Sequence, residues 1–173
     1  MEKSRLKIIV LGSVATGKTS LIKKFTEAKL SKSYKITVGV DILIKEVEYE
    51  NGKIAELSIW DVGGQKRFDY VRDKFYEGTD GAIIVFDLMK KKTYQDVKKW
   101  LADLTKFGGN DIPFVLLGNT INISKIKKET INRDEVRVFA EKEGGLYIEA
   151  STKNYDNVEK VFLELIHQIY KPS

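Results

Sequence analysis

The chain has 173 residues, which is enough for one domain and leaves little room for a second. Its 42% hydrophobic residues, 32% charged residues and net charge of +5 are typical of a globular protein with a lysine-rich surface, and we expect no nucleic-acid partner. The absence of cysteine excludes disulfides, cysteine nucleophiles and thiolate metal sites, and we expect no prenyl or palmitoyl anchor on this chain.

No apolar run is long enough to cross a bilayer or to form a signal peptide. We therefore expect one domain over residues 1–173 in the cytoplasm, or at the periphery of a membrane through a partner or a missing tail. Whether a lipidated tail was removed or never existed stays open.

The predicted elements alternate between strands and helices along the chain. A turn at Glu50–Lys53 makes the strands on either side of it antiparallel. Strands are predicted over 6–11, 38–49, 54–60, 81–88, 113–117 and 146–150, and helices over 18–29, 68–76, 93–107, 133–143 and 154–170. This order predicts a three-layer α/β fold, in which a six-stranded, mostly parallel sheet with one antiparallel hairpin strand is flanked by about five helices.

Between the first strand and the first helix, Gly12–Thr19 reads G-S-V-A-T-G-K-T, which fits the pattern G-x-x-x-x-G-K-[ST]. The backbone N–H groups of such a loop surround a polyphosphate at a helix N-terminus. Lys18 would reach the terminal phosphates, and the Thr19 hydroxyl would bind Mg²⁺. We therefore expect a P-loop NTPase fold, with nucleotide contacts from Val14, Ala15, Thr16, Gly17, Lys18, Thr19 and Ser20.

Two further segments offer groups of the kind that phosphoryl transfer needs. Asp61 ends a strand expected beside the first one, where a carboxylate can hold a metal-bound water. Gly64 can donate its N–H to a γ-phosphate, and the neutral side chain of Gln65 can orient an attacking water. Thr37, between the first helix and the second strand, offers a hydroxyl to Mg²⁺. The predicted metal ligands are Thr19, Thr37 and, through water, Asp61.

These motifs resemble those of the Ras superfamily of small GTPases over essentially the whole chain. Residues 34–41 (Y-K-I-T-V-G-V-D) and 59–61 (I-W-D) are most similar to the Rab branch, whereas 61–65 (D-V-G-G-Q) is spelled as in the Arf branch. Residues 149–153 (E-A-S-T-K) resemble the last guanine-binding loop of the family. The resemblance implies a monomeric switch that binds GTP or GDP with Mg²⁺ and hydrolyses GTP to GDP and phosphate.

The same resemblance implies how the switch would signal. Segments 31–41 and 63–77 would order on the γ-phosphate and relax after hydrolysis, and Tyr34 would fold over the phosphates. Effectors, exchange factors and activators would meet these segments. Ile42, Trp60 and Phe75 occupy the positions of the patch by which Rab proteins meet effectors, although packing in the core explains these three residues equally well.

The segment expected to read the base departs from the family pattern Asn-Lys-x-Asp, because residues 119–122 read N-T-I-N. The Asp carboxylate of the family pattern accepts two hydrogen bonds from guanine, whereas Asn122 offers one acceptor and one donor. We expect this change to weaken guanine binding by about 2–4 kcal/mol. We therefore expect relaxed base selectivity and fast nucleotide exchange. The predicted base contacts are Asn119, Thr120, Asn122, Ser151, Thr152 and Lys153.

Hydrolysis is expected to be slow. Gln65 and Lys18 are the predicted catalytic side chains, but Val14 occupies a position where a small residue leaves room for Gln65 and for an activator's arginine. An alternative is an interaction module that holds a nucleotide without a need for hydrolysis. A nucleotide kinase is the third and weakest hypothesis, since no arginine-rich acceptor site is apparent.

Overall fold

The computed structural model describes residues 4–26, 30–37, 40–62, 72–120, 131–151 and 157–171. The described strands are β1 (Ser4–Leu11), β2 (Leu30–Thr37), β3 (Val40–Glu50), β4 (Lys53–Val62), β5 (Gly81–Asp87), β6 (Phe114–Thr120) and β7 (Leu146–Ser151). The described helices are α1 (Lys18–Thr26), α2 (Arg72–Tyr76), α3 (Lys91–Gln95), α4 (Val97–Asp103), α5 (Arg133–Lys142) and α6 (Val158–Tyr170), and α4 continues into a π-helical turn, Leu104–Gly108.

The described strands form one sheet in the order β2-β3-β4-β1-β5-β6-β7. The two pairs β2–β3 and β3–β4 are antiparallel, and the remaining pairs are parallel. The predicted α/β fold is confirmed, and each predicted strand is present. The structure adds a seventh strand to the six predicted: β2 (Leu30–Thr37) lies at the edge of the sheet and pairs antiparallel with β3.

Strand residues alternate between two hydrophobic clusters, one on each face of the sheet. Along β1, Ile8 and Val10 join the cluster that α1 and α6 cover, whereas Ile9 and Leu11 join the cluster beneath α2, α4 and α5. On the first face, the ring of Phe25 stacks on Phe162 with 3.7 Å between centroids. Both faces of the central strands are therefore buried, which explains their nearly continuous apolar sequences.

The helix predicted over 93–107 is divided in the structure into α3, α4 and the π-helical turn. Asp96 lies between α3 and α4, with a ψ angle of −11° that departs from regular helix geometry. No helix in the described part of the chain is long and apolar enough to cross a membrane.

The parallel strands place their carboxyl ends along one edge of the sheet. The segments after β1, β4, β6 and β7, which carry the predicted motifs, therefore begin at the same edge, where ligands bind in open α/β sheets.

Candidate functional site

The loop between β1 and α1 needs glycine at both of its ends. Gly12 has φ of +149°, and a Cβ there would overlap the carbonyl oxygen of Val85. Gly17 has φ of +93°, and its carbonyl accepts the N–H of Leu21 in the first turn of α1. The sequence therefore turns sharply into α1 and leaves the N–H groups of the loop and of the first helical turn available for an anion.

Lys18 is buried in this loop although it carries a charge. Its side chain is 7% exposed, and Nζ donates to the carbonyl oxygen of Gly12 at 2.7 Å. Burial lowers the pKa of Lys18, and the nearby carboxylate of Asp61 opposes that shift. A buried ammonium group whose one close acceptor among the described residues is a backbone oxygen is suited to receive phosphate oxygens.

Thr19 and Asp61 meet although they are 42 residues apart. The parallel register places Asp61 on β4 beside Val10 of β1, and the Thr19 hydroxyl donates to Asp61 Oδ2 at 3.2 Å. Burial raises the pKa of Asp61, whereas Lys18 and the Thr19 hydrogen bond lower it and Asp41 raises it further. A hydroxyl and a carboxylate at this separation form an oxygen donor set that fits Mg²⁺.

The loop is also anchored from outside by two side chains. Asn119 Nδ2 donates to the carbonyl oxygen of Thr16 at 2.9 Å, and Ser13 Oγ donates to Asp96 Oδ2 at 2.8 Å. Within the loop, Thr16 Oγ1 donates to the carbonyl oxygen of Ser13 at 3.0 Å. The sequence analysis missed the contact of Ser13 with Asp96, because it joins residues 83 positions apart. Ser13 occupies a variable position of the loop motif, and Asp96 belongs to no recognised motif.

The remaining loop residues are open to solvent. Val14 is 60% exposed, and Ala15, Thr19 and Ser20 are exposed as well. Ala15 adopts φ of +63°, a conformation that a residue with a Cβ rarely takes. The apex of the loop therefore faces the space where a ligand would lie.

The predicted base end begins at the paired ends of β6 and β7. Thr120 pairs with Ser151 and Asn119 pairs with Ala150, and all four residues are buried. Asn119 Oδ1 is buried without a hydrogen-bond partner among the described residues. The structure therefore brings Asn119, Thr120 and Ser151 together, whereas Asn122, Thr152 and Lys153 lie outside the described residues.

A polar cluster supports the strand that leads to Ser151. Glu149 forms an ion pair with Arg133, and the Tyr147 hydroxyl donates to Glu149 Oε2 at 2.6 Å. Burial, together with the bond to Glu149, raises the pKa of Tyr147 well above its usual range. Asn157 Nδ2 donates to the backbone oxygen of Glu149 at 2.8 Å. The resemblance at 149–153 pointed to this segment, but its partners on α5 and β7 could not be read from the motif.

The predicted switch residues are described only in part. Tyr34 and Thr37 lie on β2, where their backbones pair with Ile42 and Val40, respectively. Gly64 and Gln65 lie outside the described residues. Thr37 is therefore placed on an edge strand, and its predicted contact with Mg²⁺ stays a prediction.

The three residues of the predicted effector patch have different exposures. Ile42 and Trp60 face each other across β3 and β4 and are half-buried. Lys7 Nζ lies 3.9 Å from the ring centroid of Trp60. Phe75 is buried in the cluster beneath α2, so packing accounts for this residue in the present conformation.

A glycine-bounded loop with a buried lysine, next to a strand-end aspartate that contacts the following threonine, defines a phosphate-binding-loop nucleotide protein. The comparisons with known proteins extend this assignment. The model of the Ras family matches residues 7–171, and the chain therefore belongs to the Ras family.

The similar curated proteins carry Rab names. The chain is 38% identical to the Ras-related protein Rab-12 of Mus musculus over 96% of the chain and 68% of that protein. It is 33% identical to Rab-30 of Homo sapiens over 92% of the chain and 77% of that protein. It is also 39% identical to Rab-1 of Theileria parva over 90% of the chain and 70% of that protein. The resemblance noted in the sequence is confirmed, and the chain is a Rab-like small GTPase.

Proposed function

We propose that this Rab-like GTPase binds GTP and GDP together with Mg²⁺ and changes the conformation of residues 31–41 and 63–77 between the two states. The observation that carries the proposal is the convergence of Lys18, Thr19 and Asp61 at the end of β1. A buried cation beside a hydroxyl and a carboxylate matches a polyphosphate with a divalent cation better than it matches a neutral ligand.

The chain's own residues divide the work at the phosphates. Lys18 and the loop N–H groups bind and orient the β- and γ-phosphates, and the residues proposed to hold Mg²⁺ are Thr19, Thr37 and, through water, Asp61. When bound, Mg²⁺ neutralises charge on the phosphates. Gln65 orients the attacking water, and the Gly64 N–H contacts the γ-phosphate that this water attacks.

Slow hydrolysis is part of the proposal. Val14 stands exposed at the loop apex, where its branched side chain would occupy space that Gln65 and an activating arginine need. Family membership favours the GTPase switch over an interaction module that only holds a nucleotide. The residue at position 122 supports relaxed base selectivity within the switch rather than a different function.

We further propose that residues 1–173 form one G domain that meets effectors and exchange factors through its switch segments. Of the patch Ile42, Trp60 and Phe75, the half-buried Ile42 and Trp60 would take part in the effector contact, and the buried Phe75 would join them only after a rearrangement of its switch segment. We also propose a position in the cytoplasm, or at a membrane through a partner or a tail, and the family membership supports this proposal.

The experiment that tests the function is chromatography of the nucleotide released when the freshly purified protein is denatured. Guanine nucleotide is expected, at less than one per chain, because the relaxed base contacts speed its exchange. Adenine nucleotide would contradict the proposal, and so would a protein that is purified without nucleotide and then fails to bind GDP with Mg²⁺ in an equilibrium titration. Single-turnover hydrolysis of bound GTP, with Gln65→Leu as the comparison, then separates a switch from a protein that only holds the nucleotide.

A further inference from the structure

Asp96 is a charged residue next to the phosphate loop that belongs to none of the recognised motifs. It lies between α3 and α4, and its two carboxylate oxygens have separate partners. Oδ2 accepts the Ser13 hydroxyl at 2.8 Å, and Oδ1 lies 3.1 Å from Lys92 Nζ. Burial favours the neutral acid, but the hydrogen bonds from Ser13 and Lys92 outweigh it, so the pKa of Asp96 is lowered and the carboxylate is ionised at neutral pH.

A second negative charge beside a polyphosphate site repels the phosphates, so the presence of Asp96 here calls for an explanation. Its contact with Ser13 indicates that Asp96 supports the structure of the loop. The Asp96 backbone oxygen accepts the N–H of Trp100, whose side chain is 3% exposed in the core. The carboxylate is therefore held by the folded body of the protein, and Ser13 is tied to that body through it.

The loop between its two outside anchors holds a strained conformation. Asp96 anchors Ser13 and Asn119 anchors Thr16, while Ala15 between them adopts φ of +63°. A conformation of this kind persists only when its surroundings determine it. Removing one anchor would let the apex relax and would misalign the N–H groups that receive the phosphates.

We infer that Asp96 is a positioning residue for nucleotide binding, which acts by fixing Ser13 and with it the apex of the phosphate loop. This inference rests on the proposed function, because it concerns how the same site retains its ligand. The Ser13–Asp96 bond slows nucleotide release without touching the nucleotide.

The test is a double-mutant cycle on release of a fluorescent GDP analogue, with excess unlabelled GDP as competitor. Ser13→Ala and Asp96→Ala are each expected to speed release about tenfold, and the double variant no more than either single variant, because all three lose the same bond. Asp96→Asn keeps an acceptor for the Ser13 hydroxyl. This variant is expected to release the GDP analogue at a rate within about threefold of that of the unmodified protein.

Two controls separate positioning from general destabilisation. Asp134→Ala removes an exposed aspartate that pairs with Arg137 on α5, far along the chain from the loop. Val136→Ala creates a small cavity in the core beneath α5. Both variants are expected to keep the original release rate, and Val136→Ala is expected to do so even with a lowered melting temperature.

Unchanged release from Ser13→Ala and Asp96→Ala, or additive effects in the double variant, would overturn the inference. If the unmodified protein does not bind the GDP analogue in an equilibrium titration, guanine binding itself is wrong. The same variants are then compared for binding of magnesium tripolyphosphate, which has no base. Weaker binding by the two alanine variants supports the positioning role, and equal binding overturns it.

Discussion

The phosphate end and the base end of the site are built in different ways. The phosphate end is one continuous loop, and its buried lysine contacts the backbone oxygen of Gly12 within the same loop. The base end starts from the ends of β6 and β7, where Thr120 and Ser151 pair, and its predicted specificity depends on single side chains beyond them. Phosphate-binding loops in general hold their ligand mostly through backbone N–H groups, whereas discrimination between bases depends on individual side chains.

This difference predicts that affinity and selectivity can vary separately. A change at residue 120 or 122 leaves the phosphate loop intact, because Asn119 still anchors Thr16. Loss of a phosphate-binding side chain of the loop, such as Lys18, weakens binding of every nucleotide, whichever base it carries. The following predictions are arranged from the largest expected effect to the smallest.

Lys18→Ala is expected to weaken binding of GDP, XDP and ADP alike by about a hundredfold or more, since it removes charge-assisted hydrogen bonds worth about 1.5–3 kcal/mol each. Titration calorimetry with each nucleotide in Mg²⁺ measures the effect. Lys142→Ala, which removes an exposed lysine at the end of α5, serves as the control and should bind like the unmodified protein. A loss confined to one base would contradict the separation of the two ends.

Asn122→Asp is expected to strengthen GDP binding by about 2–4 kcal/mol, because a carboxylate accepts both hydrogen bonds that guanine donates. Binding of XDP should weaken in the same variant. Competition against a fluorescent analogue measures both affinities. If GDP affinity is unchanged, residue 122 does not read the base in this protein.

Val14→Gly is expected to speed single-turnover GTP hydrolysis about tenfold, equivalent to about 1.4 kcal/mol in the barrier, with little change in GDP affinity. Val138→Gly is the matched control, since Val138 is 63% exposed on α5 and Val14 is 60% exposed in the loop. Turnover that is no faster in Val14→Gly would remove the steric argument for slow hydrolysis.

The pH dependence of ligand stabilisation tests the metal side of the phosphate end. Burial raises the pKa of Asp61 above 3.8, so its contribution to the stability of the free protein is present below that pH and is lost as pH rises through the raised pKa. Mg²⁺ needs the ionised carboxylate. As the pH rises from about 3.8 through the raised pKa of Asp61, the gain in melting temperature on adding Mg²⁺ and GDP should therefore grow by about 2–4 °C.

Asp61→Asn has no side chain to titrate at this position. Adding Mg²⁺ and GDP to this variant is expected to raise its melting temperature only slightly, by an amount that does not change with pH in the same range. A gain that is independent of pH in the unmodified protein would contradict the assignment of Asp61 to the metal.

The fold could be predicted because its signals are local. Alternating buried strands and amphipathic helices, with one turn at Glu50–Lys53, indicate an α/β sheet directly. The edge strand β2 was not predicted because Lys32 interrupts its alternating apolar residues, and its place in the sheet depends on backbone pairing with β3.

The functional site could be predicted to the same extent as the fold: motifs that are contiguous in the sequence could be placed, but contacts between distant segments could not. The motif of the phosphate loop could be placed from the sequence because it is contiguous, and Thr19 does lie beside Asp61. The nucleotide contacts of the loop residues stay predictions. The Ser13–Asp96 bond and the cluster around Glu149 depend on tertiary packing between distant segments, so the sequence carries no local signal for either one.

The most direct test of the central claim is a competition titration of GDP, XDP and ADP against one fluorescent analogue in Mg²⁺. The account predicts that XDP binds at least as tightly as GDP, because Asn122 can donate to the carbonyl that xanthine has in place of the 2-amino group. ADP should bind more weakly than either, since adenine lacks the carbonyl expected to meet the backbone N–H groups of residues 151–153. A preference for GDP over XDP by orders of magnitude would show that the base end reads guanine as strictly as the family pattern does, and the account would be wrong.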